Sequence, residues 1–303
     1  MKNTWTAENI SDLTGREAIV TGANTGIGFE TARVLAQKGA HVTLACRNPE
    51  KGQAALKRIR EELGEAAASL EQLDLADLES VAAFAQRYNR RYRRLDLLIL
   101  NAGVMVPPHS KTSQGFELQF GVNHLGHFAL TGALLPLVTS TEGSRVVVLS
   151  STAAVGGSMD FEDLQFEKRG YAPWRAYGQS KLANQLFARE LQRRLRAVSS
   201  STLVTAAHPG WTATDLQRTS PVVGFLNHFF AMQPSQGALP TLRAATDPEA
   251  AGGEYYGPNC LFHLRGYPKR VDMVKKAGIQ EDAIRLWELS EELSGVRYGL
   301  PAS

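Results

Sequence analysis

Along the chain, short apolar runs alternate with longer stretches in which apolar residues recur every three or four positions. The short runs, at 17–20, 41–46, 69–73, 95–100, 145–149 and 202–206, read as strands buried on both faces. The longer stretches read as amphipathic helices: 29–38, 51–63, 77–88, 112–138, a helix opening at Trp174, and 279–293. Two shorter helices are expected at 222–230 and 234–245. Strand and helix alternate throughout. This predicts an α/β fold, a doubly wound parallel sheet with right-handed crossovers and helices on both faces.

Several strand ends carry chemistry. The first strand runs into Thr21-Gly22-Ala23-Asn24-Thr25-Gly26-Ile27-Gly28, and a helix follows that stops at Gly39. Strand, glycine-rich turn and helix open a dinucleotide-binding βαβ unit, in which glycines let the backbone approach a pyrophosphate held at the helix N-terminus. The second strand ends at Arg47. That position reads the adenosine ribose, and an arginine there suits a 2′-phosphate, hence NADP(H) before NAD(H). The fourth strand ends in Asn101-Ala102-Gly103, and the fifth in Ser150-Ser151, where open α/β sheets bind ligands. Two glycines, Gly121 and Gly126, flank Asn123 inside the long helical pattern. Glycine costs a helix about 1 kcal/mol relative to alanine, so a bend or close packing is expected there.

The helix that opens at Trp174 carries Tyr177 and Lys181 four residues apart on one face, with Asn184 on the same stripe. A phenol with an ordinary pKa near 10 is a poor acid and a poor base at neutral pH, and a neighbouring ammonium favours its ionised form. By itself such a pair could be surface decoration; the strand ends give it company.

Composition narrows the setting. The 303 residues are 43% hydrophobic and 21% charged, with a net charge of +3, which argues for neither nucleic acid nor a membrane surface. The basic run Arg87 to Arg94 sits where a helix ends and reads as a solvated helix terminus. Cys46 and Cys260 are too few for a disulfide framework, in keeping with a cytoplasmic protein. Residues 1–12 lack a signal-peptide core, no membrane anchor is expected, and no metal-ligand set stands out.

Six motifs in one order, covering roughly residues 15–295, resemble the short-chain dehydrogenase/reductase family. They are Thr21 to Gly28, Asn101 to Gly103, Asn123, Ser151, Tyr177-x-x-x-Lys181 and Pro209-Gly210. Leu44-Ala-Cys-Arg47, Gly121 to Phe128, Ser180 to Asn184 and His208-Pro-Gly210 are similar, more narrowly, to the retinol dehydrogenase group and the WW-domain oxidoreductases. The resemblance implies one Rossmann-type three-layer αβα domain over 1–303, with about seven strands and a substrate-side segment at about 211–270.

It also implies roles. Tyr177 would be the general acid in carbonyl reduction and the base in alcohol oxidation. Lys181 would lower the tyrosine's pKa and hold the nicotinamide ribose, Ser151 would hydrogen-bond the substrate oxygen, and Asn123 would hold a water linking Lys181 to solvent. For NADP(H), Gly22, Asn24, Thr25, Gly26, Ile27 and Gly28 would line the pyrophosphate and Arg47 the 2′-phosphate. Asp74 and Leu75 would meet the adenine and Asn101, Ala102 and Gly103 the ribose side. Pro209, Gly210, Thr212 and Thr214 would lie near the nicotinamide. An inserted stretch at 159–165 would shape the substrate mouth.

If Val155, Met159, Trp174, Trp211, Phe225, Phe229 and Phe230 surround the reacting centre, the partner is a small apolar carbonyl compound or its alcohol. The resemblance further allows a homodimer or homotetramer paired through the helices at 112–138 and 177–197. A catalytically silent NADP(H)-binding regulator is the rival reading. Such proteins tend to lose the tyrosine or lysine, and this chain keeps both. An epimerase or dehydratase of nucleotide sugars would share the pair, but the glycine spacing and Asn101 to Gly103 count against it.

Overall fold

The computed structural model describes residues 4–212 and 232–301. Eight strands form a single sheet: β1 (Glu17–Thr21), β2 (His41–Cys46), β3 (Ala68–Gln72), β4 (Leu97–Leu100), β5 (Arg145–Leu149), β6 (Leu203–Ala207), β7 (Tyr255–Cys260) and β8 (Arg265–Val271). Their order is β3-β2-β1-β4-β5-β6-β7-β8. All neighbours run parallel except the last pair. The chain reverses its direction of travel across the sheet between β1 and β4, which opens a crevice at the carboxyl ends of those strands.

Because side chains alternate along a strand, each strand feeds two cores. Ala18 and Val20 point into one with Val42, Leu44 and Ile99, beneath α1 (Gly26–Gln37), α2 (Pro49–Leu63), α7 (Pro234–Gly237) and α8 (Leu239–Thr246). Ile19 points into the other with Leu98, Leu100, Val146 and Val148. That face is covered by α3 (Leu78–Arg91), α5 (Gly126–Ser140), α6 (Pro173–Ala197) and α9 (Gln280–Ser294), where Phe128, Phe187, Trp287 and Tyr298 stack together. Asp96, the polar residue of the fourth apolar run, is buried and takes Arg16, a bidentate Arg94 and the Glu17 amide. Within the basic run, Arg87 and Arg91 pair with Glu71.

The structure corrects three expectations about the elements. The long helical pattern does not begin at 112. Lys111 and Glu117 instead form an isolated bridge, and the helix starts with α4 (Leu118–Phe120), passes through a π-helical turn (Gly121–Leu125) and continues as α5. The two glycines there serve the close packing anticipated for them. A Cβ on Gly126 would strike the Leu75 carbonyl and one on Gly121 the Thr112 side chain, so both permit close packing beside the π turn.

The sheet has eight strands, not about seven. β7 and β8 each contain glycine and proline, which suppress a strand signal, and both are tolerated here near a sheet edge: Pro258 faces Pro268 beside a register shift. The helix expected at 234–245 is two pieces, with Pro240 in the first turn of the second. The helix expected at 222–230 lies outside the described residues.

Candidate functional site

A cleft of about 700 Å³ opens along the carboxyl ends of β1, β2, β4, β5 and β6. One wall is the turn from Gly22 to α1. Gly26 adopts φ +57°, in the left-handed region. A Cβ on Gly28 would collide with the Gly22 carbonyl and the Asn101 side chain, so this turn closes only with glycine there. Gly22, Asn24, Thr25, Gly26, Ile27 and Gly28 all line the cleft, with the first amides of α1 at its edge.

Arg47 stands exposed at the same wall and forms no ion pair among the described residues. Asp74 and Leu75 line it as well. Asp74 also accepts the Ala76 amide, a local turn that sets its direction. Opposite lie Asn101, Ala102 and Gly103. The Asn101 side chain donates to the Thr21 carbonyl, tying the end of β4 to the end of β1. Pro209, Gly210 and Thr212 close the far end, where the Thr212 hydroxyl donates to the Pro209 carbonyl. Thr214 lies outside the described residues.

Tyr177 and Lys181 reach the cleft from α6, whose first position is Pro173. Tyr177 is 8% exposed and Lys181 5%. The Lys181 ammonium lies 5.7 Å from the centre of the Tyr177 ring and 3.4 Å from the Leu149 carbonyl at the end of β5. Asn184, on the same stripe, donates to that carbonyl too, at 2.8 Å. Of the two serines after β5, Ser150 donates its hydroxyl to the Lys181 carbonyl and is spent on holding α6. Ser151 lines the cleft near the Tyr177 phenol, whose ionisation it eases, and its side chain accepts the Ala153 amide at 3.2 Å.

Both groups are displaced from their ordinary values by burial. It pushes the phenol up to about 12, with only partial relief from Ser151. The ammonium, buried beside it, is itself pushed down to about 8. In each case desolvation penalises the charged form.

Asn123 makes its side-chain hydrogen bonds to protein groups. In the π turn, fully buried, its side-chain N–H groups donate to the Val104 carbonyl at 2.9 Å and the Ser180 hydroxyl at 2.9 Å. Its oxygen accepts the Val104 amide at 2.7 Å. The side chain therefore shapes the loop after Gly103; it does not line the cleft.

The apolar candidates separate. Trp174, 56% exposed and edge-on to Tyr177, lines the cleft, and so does Trp211. Val155 points to solvent from a 3-10 turn (Thr152–Gly156), 71% exposed. Met159 packs with Phe116 and Phe161 in a third apolar cluster against α6 and α9. The insertion 159–165 follows Met159 away from the cleft: Asp163 caps the amides of Glu167, Lys168 and Arg169, and the Leu164 carbonyl accepts Gln179. Phe225, Phe229 and Phe230 lie outside the described residues.

Sequence reasoning missed Met105, Arg175 and Leu264 on the cleft wall. Arg175 could have been noticed two residues before Tyr177. Leu264 comes from the β7–β8 turn, which had no strand signal to place it.

The strand order β3-β2-β1-β4-β5-β6, with a glycine turn at the switch point and a tyrosine–lysine helix beside it, defines a nicotinamide-dinucleotide oxidoreductase. Residues 16–221 match the model of the short chain dehydrogenase family. Retinol dehydrogenase 12 of Mus musculus is 42% identical over 94% of this chain and 88% of its own length. Human retinol dehydrogenase 13 is 42% identical over 94% and 86%. Among solved structures, an uncharacterized protein from Mycobacterium paratuberculosis superposes with a TM-score of 0.84 at 40% identity, covering 98% of this chain and all of the other. A short chain dehydrogenase from Shigella flexneri 2a, complexed with NADP, gives 0.65 at 28% identity over 80% of this chain and 96% of that one. The chain belongs to the short-chain dehydrogenase family, in its retinol dehydrogenase-like group. It is an NAD(P)-dependent oxidoreductase acting on CH–OH donors.

Proposed function

We propose that the protein interconverts an apolar aldehyde or ketone and its alcohol with NADP(H), Tyr177 moving the proton. The observation that carries this reading is a single continuous cleft. One end holds the glycine turn and Arg47; the other holds Ser151, Tyr177 and Lys181 with Trp174 and Trp211. Its donor set fits NADP(H): helix amides for the pyrophosphate, a guanidinium for the 2′-phosphate, and hydroxyls and backbone for the nicotinamide side. Bound there, NADP(H) supplies or accepts the hydride.

The chain's own residues do the rest. Ser151 donates to the carbonyl oxygen where negative charge grows, and the Tyr177 phenol, kept neutral by burial, gives that oxygen its proton. Lys181 replaces charge next to the phenol as the proton leaves. Asn123 acts as a positioning residue through the Val104 loop. The reverse reaction requires Tyr177 to give up its proton first, which a high pKa makes costly, so the isolated site favours reduction at neutral pH. Trp174, Trp211, Met105 and Leu264 give the mouth an apolar lining.

The test is a screen of aldehydes, ketones and alcohols with NADPH and NADP+, followed by nicotinamide absorbance, with Tyr177→Phe alongside. The variant should keep NADPH affinity and lose about 10²- to 10⁴-fold in turnover. A variant retaining most of its activity would sink the mechanism. Tight NADPH binding without turnover on any substrate would favour the silent regulator.

A further inference from the structure

His127 is 2% exposed in the first turn of α5 and reaches no part of the cleft surface, yet both ring nitrogens are engaged. Nδ1 lies 3.1 Å from the Asn123 carbonyl and Nε2 2.9 Å from the Thr21 hydroxyl. The Asn123 carbonyl only accepts, so Nδ1 carries the proton. Burial holds the ring neutral, its pKa pushed down to about 4. Nε2 is therefore bare and must accept.

Thr21 agrees from the other side. Its oxygen already receives the amides of Ala102 at 2.9 Å and Asn101 at 2.9 Å, the latter shared with the Ile99 carbonyl at 3.0 Å, so both bonds fall on its acceptor side. Its own proton is free to go outward, and Nε2 is nearer than the alternative, the Ile99 carbonyl at 3.4 Å. Two independent counts of donors and acceptors give the same tautomer.

The bonds then run in one direction through the molecule. Asn101 and Ala102 amides donate to Thr21, Thr21 to His127, and His127 to Asn123. The Asn123 side chain donates to the Ser180 hydroxyl, and Ser180 to the Tyr177 carbonyl at 2.8 Å. We propose that His127 is a positioning residue that locks the cofactor-facing loop Asn101 to Gly103 to the π turn and, through it, to the helix bearing Tyr177. This rests on the reading of that loop as a cofactor wall. A core histidine that merely filled space would need neither a fixed tautomer nor this polarity.

The wild-type protein gives the first test. Nitrogen-15 NMR of the His127 ring should show the Nδ1–H tautomer, and an Nε2–H ring overturns the proposal. Variants give the second. Thr21→Val removes the hydroxyl at nearly constant volume, and His127→Asn keeps only the Nδ1-like donor.

Each should weaken NADPH binding by about tenfold and speed hydrogen exchange at the Asn101 and Ala102 amides. Thr21→Ser should stay within about twofold of wild type. His127→Gln, whose Oε1 can reach the Nε2 position, should bind NADPH better than His127→Asn. The double variant Thr21→Val/His127→Asn should be no worse than Thr21→Val alone, because the valine already removes the Thr21–His127 link together with the acceptor of the Asn101 and Ala102 amides. Losses that multiply, or folded single variants with wild-type NADPH affinity and unaltered exchange, overturn the proposal. If the histidine variants do not fold, the tautomer of the wild-type ring decides it. A wild-type protein that binds no nicotinamide cofactor would instead defeat the functional reading, while tautomer and exchange would still judge the link.

Discussion

The two ends of the cleft are built differently. At the glycine-turn end the lining is mostly backbone and small side chains, with Arg47 and Asp74 as charged members. At the tyrosine end it is large side chains from distant segments: Trp174 and Arg175 at the start of α6, Trp211 after β6, Leu264 from the β7–β8 turn. A backbone-built wall tolerates few residue types at each position, because a Cβ on Gly28 has nowhere to go. A side-chain-built wall can change its shape without disturbing the sheet. The first suits a ligand common to a family, the second a substrate particular to one member.

The comparison breaks most visibly at Lys181. A lysine with a folded pKa near 8, below its ordinary 10.5, costs stability fully below pH 8, and the cost fades as pH rises toward 10.5. Lys181→Met should therefore raise stability at neutral pH by up to about 3 kcal/mol, read as a higher Tm, while turnover falls at least about 100-fold. A lower Tm would mean that the lysine is structural.

The pH profile of the free enzyme comes next. Tyr177 must be protonated for reduction and ionised for oxidation, and its pKa is displaced to about 12. Alcohol oxidation should rise by nearly tenfold per pH unit over the range in which the protein remains folded, while reduction stays flat until Lys181 titrates near pH 8. An oxidation rate independent of pH would show that some other group sets the proton transfer.

Arg47→Asp probes the other end. It should raise KM for NADPH about 10- to 100-fold more than KM for NADH, the value of one or two charge-assisted bonds. An unchanged ratio removes Arg47 from cofactor choice. The smallest effect is expected from Trp174→Ala. KM for apolar substrates should rise about fivefold, corresponding to about 1 kcal/mol of lost apolar contact, with NADPH affinity unaffected. A loss of NADPH affinity equal to the loss for substrate would show that the two ends are not separable.

Much of the site's framework at both ends could be read from the sequence, because its rules are local. Gly26 needs a left-handed φ, Ser151 is the second residue after β5, and a four-residue spacing puts Tyr177 and Lys181 on one helical face. The same local rules gave the six strands through β6. They failed at β7 and β8, where glycine and proline are tolerated only because the strands lie near an edge.

What only the tertiary structure decided concerns surroundings. The phenol's pKa rises because burial disfavours its ionised form, and residue spacing does not reveal burial. Asn123 is spent on Val104 and Ser180 because the loop after β4 folds against the π turn. Met159 leaves the cleft for an apolar cluster to which α6 and α9, the latter more than a hundred residues later, both contribute. His127 looked like one member of a motif, and its meaning came from Thr21, at the far end of a 2.9 Å bond. Periodicity records what a residue does with its neighbours in sequence; burial and hydrogen-bond direction depend on partners that only the fold supplies.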